Sequence, residues 1–186
     1  ITMKELVLSE EQIQEITKRL GKELTDVLKD EEKMPVALTI MRGAMIFAVD
    51  LLKNIKKDVL IDYIQIASYE GTSTDGVIHL LKDCGTDLED RTVIIIEDII
   101  DTGYSMEWLV DHIKSKHAKK VIVVALFDKP LNRQTPVHID YAGYVLDSNK
   151  FLVGYGLDYN GIGRNIPYVF IPTEEEVKVW DKELSK

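Results

Sequence analysis

The stretch of this chain best equipped for chemistry is VIIIEDIIDTGYS, residues 93–105. An apolar run meets two adjacent carboxylates, Glu97 and Asp98; Ile99 and Ile100 follow, then Asp101, Thr102, Gly103, Tyr104 and Ser105. An unpaired charge at the end of a buried strand is costly, so the acidic pair implies a cationic or hydroxyl-rich group beside it in the working protein. The turn at 101–105 offers consecutive backbone N–H groups and the hydroxyls of Thr102 and Ser105. It opens a predicted helix, whose N-terminus favours an anion, and Gly103 lets the backbone come close to a ligand. An amide cradle for phosphate beside acids that take sugar hydroxyls or Mg²⁺ suits a phosphorylated sugar. Two other readings of the acids stay open, a plain helix cap and the Mg²⁺ pocket of a receiver-type phosphoacceptor. The latter normally draws its acidic pair from an early strand rather than mid-chain. A Walker-type loop is excluded, because no Gly-x-x-x-x-Gly-Lys occurs.

The surrounding pattern supplies the elements that must hold this stretch. Ser9 and Gln12 form a capping-box signature, after which Ile13, Ile16, Leu20, Leu24, Val27 and Leu28 recur at helical spacing. Pro35 ends that pattern, and VALTIM reads as a short buried strand. A second helix follows, with Ile46, Val49, Leu51 and Leu52 predicted to face a sheet. Met45, Phe47 and Ala48 then fall on the other side, as either subunit interface or core. VLIDYIQIAS (59–68) reads as a strand, YEGTSTDG as a loop without an apolar face, VIHLLKD as the return strand, and TVIIIE (92–97) as a strand ending at the acidic pair. A helix is predicted over 104–117, with Trp108, Leu109, His112 and Ile113 inward, before the apolar strand VIVVALF. Unalternating apolar strands between helices indicate a doubly wound α/β core with a parallel sheet. Beyond Pro130 the short stretches HIDYAGYVLD, FLVGYGLDY and YVFIP predict a small strand-rich second lobe.

Composition narrows the partners. The chain has 186 residues, 45% of them hydrophobic, and a formal net charge of -9, which suits one compact domain. Its densest basic cluster is Lys114, Lys116, Lys119 and Lys120, too local to predict general nucleic-acid affinity. No apolar run reaches the ~20 residues of a membrane span, no signal-peptide pattern is present, and Cys84 is the single cysteine. The expectation is a cytoplasmic protein without membrane or nucleic-acid partners.

The motif VIIIEDIIDTGYS resembles the phosphoribosyl pyrophosphate (PRPP) signature of type I phosphoribosyltransferases. Together with MRGAMIFAVDLL, SYEGTSTDG, LFDKP and FLVGYGLDYNGIGRNIPYV, it is similar to the hypoxanthine-guanine phosphoribosyltransferase family, in order and over almost the full length. The resemblance, closer to bacterial members than to longer animal ones, implies a mainly parallel twisted sheet flanked by helices. It implies one domain over 1–186, with a core of about 10–130 and a hood lobe from about 1–9 and 131–186.

The reaction it implies moves the phosphoribosyl group of PRPP to N9 of a 6-oxopurine, giving IMP or GMP and pyrophosphate, with Mg²⁺ as cofactor and an oxocarbenium-like transition state. Asp101 to Ser105 would cradle the 5′-phosphate, with Asp101 also the candidate general base near N7. Glu97 and Asp98 would hold the ribose hydroxyls and, with Asp158, the metal. Arg42, Gly43 and Arg164 would bind pyrophosphate, and relatives carry a cis peptide at the position of Met41-Arg42. Lys129 would donate to O6 of the base, Phe151 stack on it, Ile99 pack on its other side, and Leu152 and the Asp158 carbonyl meet its edge. Ser68 and Tyr69 begin the loop that closes over the transition state in relatives. Gly161, Ile162 and Gly163 offer no cation to a 2-oxo group, which favours hypoxanthine first and guanine second over xanthine. Alternatives on the same fold are a PRPP-sensing regulator that binds RNA and a xanthine-preferring enzyme; adenine or orotate transfer is disfavoured by Lys129 and FLVGYGLDYN. A homodimer or homotetramer is implied.

Overall fold

The computed structural model describes residues 4–69 and 77–186. Strand β1 (Glu5–Leu8) leads to helix α1 (Glu10–Leu28), whose capping box is formed in full. The Ser9 hydroxyl accepts from the Gln12 N–H at 3.1 Å and the Gln12 side chain from the Ser9 N–H at 2.8 Å. Ile13, Leu20, Leu24 and Leu28 bury one stripe of α1, as their spacing predicts.

The central sheet takes strands β2 (Val36–Met41), β3 (Leu60–Tyr69), β4 (Val77–Lys82), β5 (Thr92–Ile100), β6 (Lys120–Asp128) and β7 (Tyr141–Val145) in the order β4-β3-β2-β5-β6-β7. All neighbours run parallel except β3 and β4. Helices α1 and α2 (Met45–Lys53) cover one face with Phe47, Ile94, Ile96 and Leu126, and α3 (Tyr104–Ser115) packs with Leu38, Ile95 and Val123 on the other. Double coverage explains why β2, β5 and β6 have no polar alternation. Helix α4 (Glu174–Leu184) ends the chain behind a second capping box at Thr173. No helix among the described residues is long and apolar enough to cross a membrane.

Four expectations change. Strand β5 continues through the acidic pair to Ile100, because Ile99 and Ile100 go on pairing with Phe127 and Asp128. Residues 141–145, anticipated in the small lobe, pair in parallel with β6 and extend the core sheet. FLVGYGLDY forms turns and isolated bridges, Val153 with Phe170 and Gly154 with Leu157, because positive φ at Gly154, Tyr155 and Gly156 breaks a strand. In α2 the change is Val49, which is 50% exposed rather than facing the sheet; Leu51 is buried and Ile46 and Leu52 pack on the core as predicted, with Phe47 and Ala48 also core. Away from the core sheet, β1 pairs antiparallel with β8 (Val169–Ile171).

Candidate active site

The carboxyl ends of β2, β3 and β5 open into two adjoining clefts of about 210 and 130 Å³ that share Glu97, Ile99 and Ser105. In an open parallel sheet this is where ligands bind. Glu97 is buried, and burial followed by repulsion from Asp98 pushes its carboxyl well above the usual range. Burial also raises Asp98, outweighing its hydrogen bonds and the nearby charge of Arg164. Glu97 Oε1 accepts from the Asp98 N–H at 2.9 Å, and Asp98 Oδ1 from the Ile99 N–H at 2.7 Å. These bonds fix both carboxyls without neutralising them, so the pair is suited to a cation or to hydroxyl donors.

Gly43 explains how the loop after β2 reaches this pair. A Cβ there would stand 2.0 Å from Asp98 Oδ2, so only hydrogen fits. The Met41-Arg42 peptide before it is cis, at the position the resemblance implies, and Arg42 is exposed. Gly156, at φ 98°, closes the other side: its Cβ would lie 2.1 Å from the Gly43 carbonyl oxygen. Arg164 bonds the Gly156 carbonyl through Nη1 at 2.6 Å and pairs with Asp158 Oδ2 through Nη2 at 3.3 Å. Gly43 and Arg164 thus meet at one seam through Gly156, with Arg42 next to Gly43 in the chain.

The turn after β5 lines the smaller cleft with Asp101, Thr102, Gly103 and Ser105. Gly103 is the N-cap of α3 at φ 94°, with no side chain capping the helix. Asp101 Oδ1 is buried without a hydrogen-bond partner among the described residues, a cost that a proton-bearing ligand group would relieve. Thr102 and Ser105 are half-buried beside it.

Lys129 follows β6 and is 8% exposed, far more enclosed than a loop lysine. Its N–H donates to the Ile100 carbonyl at 2.9 Å, while its ammonium has no hydrogen bond or ion pair among the described residues. Phe151, which composition alone would place in a core, is 53% exposed, with its ring edge-on to Tyr159 at 6.2 Å. Leu152 beside it is buried. Asp158 does not join the acidic pair: its carboxylate is engaged by Arg164 and by the Gly161 N–H at 2.8 Å. No group of three acidic, His or Cys side chains suited to a metal occurs among the described residues. Glu97 and Asp98 fit a cation; Asp158 would have to leave Arg164 to add to them. The backbone of Ser68 and Tyr69 pairs with Ile78 and Val77 at the end of β3, and the lid expected at 70–76 lies outside the described residues.

Sequence reasoning missed Arg133. It lies in a polar turn with no motif to mark it, yet it bonds the carbonyls of Ile100 and Asp101 and the Asp128 carboxylate.

This fold and site match a defined class: the family model for the phosphoribosyl transferase domain covers residues 7–160. Hypoxanthine-guanine phosphoribosyltransferase of Streptococcus pyogenes serotype M3 is 41% identical over 175 residues, 93% of this chain and 95% of that protein. The bifunctional protein TilS/HprT of Listeria innocua is 41% identical over 170 residues, 91% of this chain but only 26% of its own length, so the chain spans about a quarter of that relative. A crystal structure of a hypoxanthine phosphoribosyltransferase from Staphylococcus aureus superposes with a TM-score of 0.85 at 35% identity, covering 92% of each chain. The chain belongs to the hypoxanthine-guanine phosphoribosyltransferase family.

Proposed function

We propose that this chain transfers the 5-phosphoribosyl group of PRPP to N9 of hypoxanthine, and second to guanine, releasing pyrophosphate and forming IMP or GMP. The observation that carries the reading is the buried Glu97-Asp98 pair, pressed by Gly43 on one side and followed by an uncapped amide turn on the other. A cation or hydroxyl donors relieve the burial and mutual repulsion of the two carboxylates, and the turn takes a phosphate. One ligand with a phosphate, free hydroxyls and a metal-bound diphosphate satisfies both.

Each remaining residue has a place in that chemistry. The N–H groups and hydroxyls of Asp101 to Ser105 hold the 5′-phosphate, and Glu97 and Asp98 accept from the ribose 2′- and 3′-hydroxyls. The Lys129 ammonium donates to O6 and leaves a 6-amino group facing donor against donor, which disfavours adenine. Phe151 stacks on the base, Ile99 packs its other side, and Leu152 and the Asp158 carbonyl meet its edge. Asp101 takes the proton at N7 as the bond to N9 forms, a contribution of ~10²–10⁴-fold. Arg42, the Gly43 N–H and Arg164 bind the departing pyrophosphate, and the loop begun by Ser68 and Tyr69 excludes water. The family is generally magnesium-dependent. Here Glu97 and Asp98, with Asp158 once released from Arg164, would hold Mg²⁺, which supplies positive charge against the charge growing on pyrophosphate. The chain works in the cytoplasm as a homodimer or homotetramer.

Initial rates with PRPP, Mg²⁺ and each of hypoxanthine, guanine, xanthine and adenine test the reading. The expected order is hypoxanthine, then guanine, with adenine far slower, and Glu97→Asn with Asp98→Asn lowers turnover by about 10²-fold or more. Turnover unchanged by both asparagines would end the proposal.

A further inference from the structure

Arg133 touches three groups whose positions decide the shape of the site. Its Nε donates to the Asp101 carbonyl at 2.9 Å and its Nη2 to the Ile100 carbonyl at 3.3 Å, while the same Nη2 pairs with the Asp128 carboxylate. The Ile100 carbonyl also receives the Lys129 N–H at 2.9 Å. The next residues continue the clamp: the N–H groups of Gln134 and Thr135 bond the Thr102 carbonyl at 2.8 and 3.3 Å. The Arg133 Cδ and the Thr135 carbonyl each lie 3.0 Å from where a Cβ on Gly103 would stand.

The consequence follows from peptide geometry. In a trans peptide the carbonyl and the following N–H point in opposite directions in one plane. Holding the carbonyls of Ile100, Asp101 and Thr102 from behind therefore turns the N–H groups of Asp101, Thr102 and Gly103 outward, toward the cleft. The same guanidinium fixes the end of β6 through Asp128, the residue before Lys129. Only a planar fork with several donors can serve two carbonyls and a carboxylate at once.

We infer that Arg133 is a positioning residue of this site: it aims the phosphate-binding amides and locks them in register with the base-reading Lys129. This rests on the functional reading above, in which those amides take the 5′-phosphate and Lys129 takes O6.

The test measures calorimetric binding of IMP and of inosine, which lacks the phosphate, together with the KM for PRPP and the hypoxanthine-to-adenine rate ratio. The proteins are the intact chain, Arg133→Lys, and Arg133→Met combined with Asp128→Asn, the last so that no half-buried carboxylate is left unpaired. Lys129→Ala serves as the control for base reading. In both Arg133 variants the IMP-over-inosine preference and the affinity for PRPP fall about tenfold or more, the loss of roughly one charged hydrogen bond, and the adenine ratio relaxes part of the way toward that of Lys129→Ala. Arginine variants that fold and leave all three readouts unchanged, or that weaken IMP and inosine equally, overturn the inference while the functional reading stands. An intact chain with no preference for IMP over inosine overturns both.

Discussion

At the scale of single residues, the site depends on hydrogen atoms where side chains would not fit. Gly43→Ala puts a methyl group 2.0 Å from Asp98 Oδ2. The carboxylate must swing away, and its 2.7 Å bond from the Ile99 N–H is lost. The expected outcome is a fall of about 10²-fold in kcat/KM for PRPP, since small misplacements of a positioned group are that costly, with little change in melting temperature. Gly156→Ala differs in kind: its methyl group meets the Gly43 carbonyl at 2.1 Å, and φ is 98°. Backbone cannot rotate aside, so this variant loses stability as well as activity. Comparing thermal melts with kcat/KM for the two proteins checks the distinction; a Gly43→Ala enzyme with unchanged kcat/KM would show that the orientation of Asp98 is immaterial. Residue types alone revealed Glu97, Asp98 and the 101–105 turn, because carboxylates after an apolar run demand an explanation. The roles proposed for Lys129, Phe151 and Arg164 come only from the family likeness, since a lysine, a phenylalanine and an arginine in turns have bland roles everywhere. Arg133 was not legible, because what marks it is which carbonyls it meets across the fold.

At the scale of elements, strands and helices were readable but their faces and ends were less so. MIFAVDLLK in α2 is apolar nearly all round, so its periodicity cannot choose a buried side. That side is set by packing and by the Tyr155 hydroxyl, which bonds Asp50 from the turn that carries Gly156. Burial, and then this bond, hold the phenol above its ordinary pKa. The end of β5 was likewise hidden, because pairing with β6 carries the strand past charges that look like a terminus. Another tertiary tie yields a pH prediction. Burial disfavours the Asp83 charge, but hydrogen bonds from Lys116 and His112 on the α3 side and from the Cys84 N–H outweigh it and hold the carboxyl at about 2, against an ordinary 3.8. A depressed folded-state pKa stabilises fully above the unfolded value and loses that stability as pH falls through the folded one. The Asp83 contribution is therefore present at neutral pH, declines below 3.8 and is gone near 2. Asp83→Asn should lower the melting temperature at pH 7 and flatten the acid limb of stability across that window. Parallel acid limbs in the two proteins would show that the latch contributes nothing.

At the scale of the whole molecule, the doubly wound core was legible because each buried strand announces itself, whereas the place of β7 was not. Its parallel pairing with β6 needs a crossover that contains only a short 3₁₀ turn at Pro130–Asn132, so the pattern of helix between parallel strands is missing there. The covering of the sheet leads to a last expectation. Ile61 on β3 lies opposite Ala37, and Tyr63 opposite Thr39, with Ala37 buried under the α1 and α2 face. Neighbouring residues in a parallel ladder project to the same face, so Ile61 and Tyr63 share that face, yet Ile61 is 64% exposed. Helix α2 adds Val49 at 50% and Met45 at 39% exposed. Apolar side chains gathered on one side of a folded chain mark an association surface, and a second copy is the partner that the proposed dimer or tetramer requires. Light scattering behind size exclusion should give a mass that is a multiple of the chain, and Ile61→Glu with Val49→Glu should give the single-chain mass with the circular dichroism spectrum unchanged, because both side chains are at least half exposed within one chain. A wild-type chain that stays monomeric at micromolar concentration, or a doubly substituted chain that stays assembled, would remove this face as the contact between subunits.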